Sequence, residues 1–304
     1  MEYIFFEGEF VPADKAKISV KTNSFHYGTA VFEGIRAYWN EKEEQLYLLF
    51  VREHYERLVS NSRALFMELN YSVDDLINIT KELLRKCEIR EDVYIRPIVY
   101  FKDLALTPKL MDYTPEIAIY TYKFGRYLDT SKGIRVKISS WRRNDDSSIP
   151  SRWKVAGAYV NSALAKTEAL MAGYDEAIML NRHGYVAEGS GENIFLIKEG
   201  KAITPSLSDE ILEGITRRAV KNLLKNELIM EVEERSVLRS ELYSAEEIFL
   251  TGTAAEITPV IEVDNRRIGK GCVGEITEEL QKIYFNAVRG NIARYKYWLT
   301  PVYE

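Results

Sequence analysis

Two runs near the middle of the first half decide the fold class: Ser72-Val73-Asp74-Asp75-Leu76-Ile77, and then Val93-Tyr94-Ile95-Arg96-Pro97-Ile98-Val99-Tyr100-Phe101-Lys102. The first reads as a capping box, with Ser72 and Asp75 spaced to satisfy each other's backbone N–H, opening a helix that turns Leu76, Ile77, Leu83 and Leu84 inward. The second is β-branched and aromatic throughout and reads as a strand, with Pro97 its one irregularity. A helix that gives way so quickly to a strand points to a mixed α/β layer.

Working outward, Tyr3 to Val11 reads as a hairpin around Glu7-Gly8. A helix is predicted from Glu53 to Leu69, with Tyr55, Leu58, Val59, Leu65, Phe66 and Leu69 on one face. Another strand covers Ile117 to Tyr122. The polar, glycine-containing stretch from Lys123-Phe124-Gly125-Arg126-Tyr127 to Lys132 breaks the pattern and reads as a connector. The chain therefore divides into a small domain over residues 1–122, a connector over 123–132 and a large domain over 133–304. The second part opens with a strand from Ile134 to Ser140. Helices are expected over Tyr159–Ala172, Ile215–Asn226 and Glu275–Val288, with short strands at Glu176–Leu180, Asn193–Ile197, Ile229–Glu233 and Ile248–Leu250. This is a mixed α+β pattern in two domains.

Bulk properties exclude several classes of function. The 304 residues carry a formal charge of −5, which argues against a nucleic-acid binder. No apolar run approaches the ~20 residues of a membrane span. The acidic start Met1-Glu2-Tyr3-Ile4-Phe5-Phe6-Glu7 lacks the basic region of an export signal, so a cytoplasmic location is expected. Cys87 and Cys272 lie far apart, as do His26, His54 and His183, so neither a disulfide framework nor a metal site is expected. Glu188-Gly189-Ser190-Gly191-Glu192-Asn193-Ile194 places Ile194 where a dinucleotide fingerprint has its third glycine. Ile268-Gly269-Lys270-Gly271-Cys272 lacks the parts of a phosphate loop. No nucleophile elbow occurs.

Four features remain. Trp153-Lys154-Val155-Ala156-Gly157-Ala158-Tyr159 sets a lysine among small and apolar residues. Such surroundings favour the neutral amine that attacks a carbonyl and leave room for a flat cofactor; a lysine snorkelling from a buried element is the plainer alternative. Val186-Ala187-Glu188-Gly189-Ser190-Gly191-Glu192-Asn193 puts a carboxylate in a glycine-rich turn, either to hold a protonated ring nitrogen or as a solvated hairpin. Leu212-Glu213-Gly214-Ile215-Thr216-Arg217-Arg218 begins a helix whose free N–H groups suit a phosphate, or simply caps it. Thr251-Gly252-Thr253-Ala254-Ala255-Glu256 follows a strand, as an anion cradle or an ordinary turn. Together they contain the parts of a pyridoxal-phosphate site.

With those blocks stand His26-Tyr27-Gly28-Thr29-Ala30-Val31-Phe32-Glu33-Gly34-Ile35-Arg36, Arg52-Glu53-His54, Tyr94-Ile95-Arg96-Pro97 and Gly252-Thr253-Ala254-Ala255-Glu256-Ile257-Thr258-Pro259. In this order they resemble the branched-chain amino acid aminotransferases, class IV pyridoxal-phosphate enzymes, over essentially the whole chain. The resemblance implies the two-domain class IV fold (fold-type IV), a smaller α/β domain and a larger one with a barrel-like sheet. It implies pyridoxal 5'-phosphate as cofactor, with Lys154 as the catalytic residue that carries it. Glu188 would keep the ring nitrogen protonated, Asn193 would support Glu188, and Tyr159 would bond the ring hydroxyl. Arg52, the Leu212-Glu213-Gly214-Ile215-Thr216 helix start and Thr253 would grip the phosphate. Tyr94 and the Thr253-Ala254 turn would take the substrate α-carboxylate. Phe32, Phe124, Tyr27, Tyr127 and Tyr159 would line the side-chain pocket, with Tyr27, Tyr127 and Arg96 receiving the γ-carboxylate of glutamate.

The implied reaction passes the amino group of leucine, isoleucine or valine to 2-oxoglutarate in two alternating halves. Partners are these amino acids and 2-oxo acids and, by the same resemblance, further copies of the chain in a dimer or hexamer. The nearest rivals share the cofactor: D-amino acid or (R)-amine transaminases, and the lyase that cleaves aminodeoxychorismate. Tyr94-x-Arg96 and Glu33-Gly34-Ile35-Arg36 favour the branched-chain L-specific type.

Overall fold

The computed structural model describes every residue except Met1, Phe124 to Tyr127, Asp129 and Glu304. Two compact units emerge. The first comprises residues 1–125, 154–157 and 286–304, and the second comprises 126–153 and 158–285. The chain is mixed α/β, and one of its two sheets curls into a half-barrel.

The first unit is built on an eight-stranded sheet. Its strands are β1 (Tyr3–Phe6), β2 (Glu9–Pro12), β3 (Val31–Phe32), β4 (Ile35–Asn40), β5 (Gln45–Leu49), β6 (Val93–Phe101), β7 (Pro115–Tyr122) and the late segment Leu299–Pro301. The late segment forms one edge, followed by β5, β4, β6, β7, β1 and β2, with β3 alongside β6. The long strand β6 is central despite Pro97. The Pro97 carbonyl accepts the Glu33 N–H at 2.9 Å. Its missing donor therefore faces the break between β3 and β4, where no ladder partner is required. The helices are α1 (Asn23–Tyr27), α2 (Val51–Ala64) and α3 (Val73–Lys86). The capping box on α3 forms as its sequence predicts: the Asp75 N–H donates to Ser72 Oγ at 3.1 Å, and the Ser72 N–H donates to the Asp75 carboxylate at 2.9 Å.

Helix α2 ends at Ala64, five residues short of the predicted Leu69. Phe66 adopts a left-handed φ of 60°, which turns the chain so that Leu65 and Met67 bury themselves as a loop. The apolar pattern is real there, but it belongs to a turn.

The second unit carries a nine-stranded sheet. In chain order its strands are β8 (Ile134–Ile138), β9 (Glu176–Leu180), β10 (Val186–Gly189), β11 (Asn193–Lys198), β12 (Lys201–Thr204), β13 (Val232–Glu234), β14 (Glu247–Gly252), β15 (Glu256–Val263) and β16 (Arg266–Arg267). The order across the sheet is β10-β9-β8-β15-β14-β11-β12-β13, with β16 on β15. Pairs β8–β9, β8–β15 and β12–β13 are parallel. Helices α4 (Tyr159–Met171), α5 (Ile215–Asn226), α6 (Arg239–Leu242) and α7 (Glu275–Val288) complete the chain. Phe195 and Phe249, directly opposite on β11 and β14, stack with centroids 5.2 Å apart, a cross-strand pair that fixes register in the core. The predicted strand from Ile229 starts late, at Val232, because Ile229 takes a positive φ of 49°.

The sequence reading runs one large domain from residue 133 to 304; the contacts divide the chain differently. Leu299, Thr300 and Pro301 pair with Leu49, Leu48 and Tyr47, which brings the last segment into the first sheet. Lys154 to Gly157 join the same unit through backbone bonds to Gly28, Ala30 and Phe32.

Candidate active site

The first unit gathers one set of the predicted residues around Lys154. The Lys154 carbonyl accepts the Phe32 N–H at 3.1 Å, the Ala156 N–H donates to Ala30 at 2.8 Å, and the Gly157 N–H donates to Gly28 at 2.9 Å. The two backbones run so close that a Cβ on Gly28 would stand 2.9 Å from Gly157 Cα, and Gly28 also holds φ +66°. Glycine is thus required at this crossing. Lys154 Nζ lies 5.2 Å from the centre of the buried Phe32 ring, and the Arg96 guanidinium lies over the same ring at 4.5 Å. Arg96 also donates to the Tyr94 hydroxyl at 2.9 Å. Four of the predicted site residues, Lys154, Phe32, Tyr94 and Arg96, are therefore brought together.

Gly34 makes room for this arrangement. A Cβ there would stand 2.0 Å from the Tyr94 hydroxyl oxygen and 2.7 Å from the ring carbon that bears it. Gly34→Ala should therefore push Tyr94 off Arg96 and Phe32. A displacement of order 1 Å should lower kcat/KM for an amino-acid substrate by about 10- to 100-fold, carried mainly by KM. Steady-state kinetics, with the melting temperature as a control for folding, would check this.

Next to Phe32 in the chain, Glu33 anchors a buried ionic group to which no local sequence signal points. Glu33, fully buried, accepts from His54 Nδ1 at 2.8 Å and from Arg57 Nε and Nη2 at 2.6 and 2.9 Å. His54 and Arg57 stand three residues apart on α2 and so share a face. Burial works to raise the Glu33 pKa, but the Arg57 charge and the His54 bond outweigh it and hold the carboxyl below the usual range. Burial lowers the His54 pKa against the pull of Glu33, and the Arg57 and Lys154 charges lower it further. His54 thus stays a neutral donor to a carboxylate.

Arg52 does not join this group. Its guanidinium is about half exposed and engages Asp74 at the surface. Five residues separate it from Arg57, about 140° around a helix, which directs the two arginines to different faces. A helical wheel drawn through His54 singles out Arg57 instead. Tyr27, at the end of α1, is 38% exposed. Phe124 and Tyr127 lie outside the described residues.

The second unit gathers the other set. Glu188, at the end of β10, is buried; its Oε1 lies 2.9 Å from Arg143 Nε. Its Oε2 accepts from Asn193 Nδ2 and from the Leu212 N–H, both at 3.0 Å. Asn193 Nδ2 also donates to the Leu212 carbonyl at 2.9 Å, tying the start of β11 to the segment before α5. A Cβ on Gly214 would stand 1.9 Å from Asn193 Oδ1, so glycine is required there too. Gly214 is the N-cap of α5 and offers no side-chain cap, leaving the first-turn N–H groups at Ile215 and Thr216 without one. Thr253 and Ala254, half-buried, form the turn between β14 and β15, and Tyr159 opens α4 half-buried. Arg143, whose charge faces Glu188, escapes sequence reasoning; its basic run carries no local signal of a partner so far along the chain.

A lysine on a short bridged segment, a buried carboxylate with an arginine behind it and an uncapped helix start are the elements of a pyridoxal-phosphate enzyme. The model of the family described as amino-transferase class IV matches residues 30–263. The chain belongs to the class IV aminotransferases. This class IV aminotransferase is 76% identical to a probable branched-chain-amino-acid aminotransferase of Aquifex aeolicus (strain VF5), with 100% of this chain and 98% of that one covered. The crystal structure of a branched-chain aminotransferase from Thermoproteus uzoniensis with norvaline superposes with a TM-score of 0.95 at 42% identity, covering 99% of each chain. A branched-chain amino acid aminotransferase from T.th. complexed with N-(5'-phosphopyridoxyl)-L-glutamate gives a TM-score of 0.94 at 40% identity, again over 99% of each.

Proposed function

We propose that this class IV aminotransferase passes the amino group of L-leucine, L-isoleucine or L-valine to 2-oxoglutarate, giving branched-chain 2-oxo acids and L-glutamate, with pyridoxal 5'-phosphate as its cofactor. The observation that carries the reading is the buried Glu188 carboxylate, held at both oxygens by Arg143, Asn193 and Leu212. Such a carboxylate fits a protonated ring nitrogen and has little purpose in a plain hairpin. The relatives bound to norvaline and to a phosphopyridoxyl-glutamate support the same chemistry.

When bound, the cofactor supplies the carbonyl carbon that takes up the amino group and the ring that delocalises the electrons of the broken Cα–H bond. Lys154 Nζ would hold that carbonyl carbon until the substrate amine replaces it and, once freed, would carry the proton from the substrate Cα. Glu188 holds the proton on the ring nitrogen, a preorganised charge in a dry setting. Asn193 keeps the Glu188 carboxylate aimed. Tyr159 takes the ring hydroxyl. The Gly214-Ile215-Thr216 helix start and Thr253 hold the phosphate through N–H and hydroxyl donors. The arginine assigned to that phosphate passes from Arg52 to Arg57, which stands with His54 and Glu33 near Lys154.

The α-carboxylate role falls to Tyr94 in the first unit, and the resemblance gives the Thr253-Ala254 turn of the second unit the same role. Phe32 offers an apolar wall to an aliphatic side chain, while Arg96 over it donates to the γ-carboxylate in the second half of the reaction, a role that Tyr27 shares. Residues 1–122 and 133–304 would then stand as the small and large domains around a 123–132 connector, except for the late and bridging segments noted above. A homo-oligomer, dimer or hexamer, and a cytoplasmic location belong to the same reading. No helix among the described residues is long and apolar enough to cross a membrane.

The deciding experiment is the visible spectrum of the pyridoxal-phosphate-loaded protein, titrated separately with L-leucine and D-alanine. The reading expects the cofactor band to collapse with L-leucine and return with 2-oxoglutarate. A band that answers only to D-alanine would replace the substrate and its handedness, and the absence of any band would remove the cofactor.

A further inference from the structure

The turn Glu188-Gly189-Ser190-Gly191-Glu192-Asn193 carries two buried carboxyl groups, and they are treated differently. Glu188 has Arg143 beside it at 2.9 Å. Glu192, also buried, has no cation within ion-pair distance among the described residues. Its side chain folds back under its own turn. Oε2 accepts the Gly191 N–H at 3.0 Å, and it lies 2.6 Å from where a Cβ on Gly189 would stand. The Gly189 N–H donates to the Glu192 carbonyl at 2.6 Å, and a Cβ on Gly252 would come 3.7 Å from Glu192 Cγ. The tight backbone at Gly189 is therefore shaped around this one carboxyl. Glu188 on one side of it and Asn193 on the other are the ends of the turn it supports.

We propose that Glu192 is a positioning residue for Glu188 and Asn193, setting where both side chains stand through the turn it folds under, and that it works as an uncharged acid. The charges around it make that form the stable one. Glu176 on β9, itself fully buried, pairs with Lys166 of α4 at 2.5 Å and accepts the Ala177 N–H at 2.7 Å. Glu188 on β10 is matched by Arg143. Each of those carboxylates has its cation, and a third negative charge at Glu192 would have none. Burial first, then the Glu176 charge, push the Glu192 carboxyl up to about 8, with Glu188 adding to the rise and the Gly191 N–H and Lys166 opposing it. At neutral pH Glu192 thus adds no negative charge beside Glu188.

This proposal rests on Glu188 and Asn193 serving the cofactor as described above. The test uses the full chain as wild type, Glu192→Ala and Glu192→Gln. Four quantities are read: the apoprotein's affinity for pyridoxal phosphate, kcat and KM for L-leucine, and apoprotein stability from about pH 5 to 9. Glu192→Ala should weaken cofactor binding and lower kcat by about ten-fold or more, with a smaller change in KM. Glu192→Gln keeps the volume and an acceptor oxygen for Gly191, and should recover most of both losses.

The stability readout follows from linkage. The folded chain retains a proton at Glu192 that the unfolded chain has already lost above its ordinary pKa. Stability is therefore lost as pH rises. Relative to Glu192→Gln, the wild-type folding constant should fall by about ten-fold per pH unit between about 5 and 8 and then level off. Three results would each overturn the proposal: wild-type cofactor affinity and kcat in Glu192→Ala, equal impairment in both variants, or parallel stability curves for wild type and Glu192→Gln. A wild-type chain that binds no pyridoxal phosphate would remove the function reading and the positioning role together. Loss confined to this proposal would instead leave the wild type binding and transaminating. Should Glu192→Ala fail to fold, the Glu192→Gln comparison still decides the charge state.

Discussion

Lys154→Ala is expected to abolish transamination, lowering turnover by more than about 10⁴-fold, while leaving the fold intact. The lysine is fixed by main-chain bonds, its carbonyl to Phe32 and the neighbouring Val155 bridged to Val31, and alanine preserves all of them. What disappears is the amine over Phe32. Two further readouts separate this from general damage. Wild-type protein treated with borohydride should keep its cofactor label through denaturation, and the variant should not. The melting temperature without cofactor should barely move. A variant that retained a denaturation-resistant label would reassign the anchoring amine to another lysine.

Glu188→Gln should cost about 10²- to 10³-fold in kcat, the usual weight of a preorganised charge at a reacting centre. It should also destabilise the apoprotein, since removing one partner of a buried ion pair costs about 3–5 kcal/mol when the other is left unmatched. Arg143, with 8% of its side chain exposed, is that other partner. The double variant Glu188→Gln, Arg143→Met should therefore regain stability without regaining activity. Chemical denaturation of the four-member cycle, run beside turnover measurements, separates the two losses. If the double variant recovered turnover as well, the carboxylate would be structural only.

Legibility in the sequence varies with the range of the interaction. Helices α5 and α7 begin and end where the pattern places them, because an apolar stripe at helical spacing is a local signal. The capping box at Ser72 is equally local. Helix α2 reads too long because Leu65, Phe66 and Leu69 continue an apolar rhythm whose last turn is decided by a left-handed Phe66. Strands β3 and β10, with two and four residues, are too short to show an alternation, and the residues on them stand out by resemblance. It is the resemblance that assigns roles to Lys154, Glu188, Asn193 and the Gly214-Ile215-Thr216 start. The charges that set their behaviour are not. Arg143 meets Glu188 from a distant part of the chain, and Lys166 meets Glu176 across a helix-to-strand turn, so only packing reveals them. The motif names Arg52, which pairs with Asp74 at the surface, while Arg57 on another face of the same helix pairs with the buried Glu33, a difference of angle that adjacency in sequence does not show.

The late strand Leu299–Pro301 has a consequence for how the chain is made. It closes an edge of the first sheet on β5, and the Val302 N–H reaches Gln45 Oε1 across 257 residues. The first unit therefore cannot complete its sheet until residues 299–301 have left the ribosome, after all of the second unit. Apart from the bridging residues 154–157, that second unit is one run from 126 to 285 and is available earlier. The order of synthesis and the order of folding are thus reversed: the half that holds Lys154 is started before the other and finished after it.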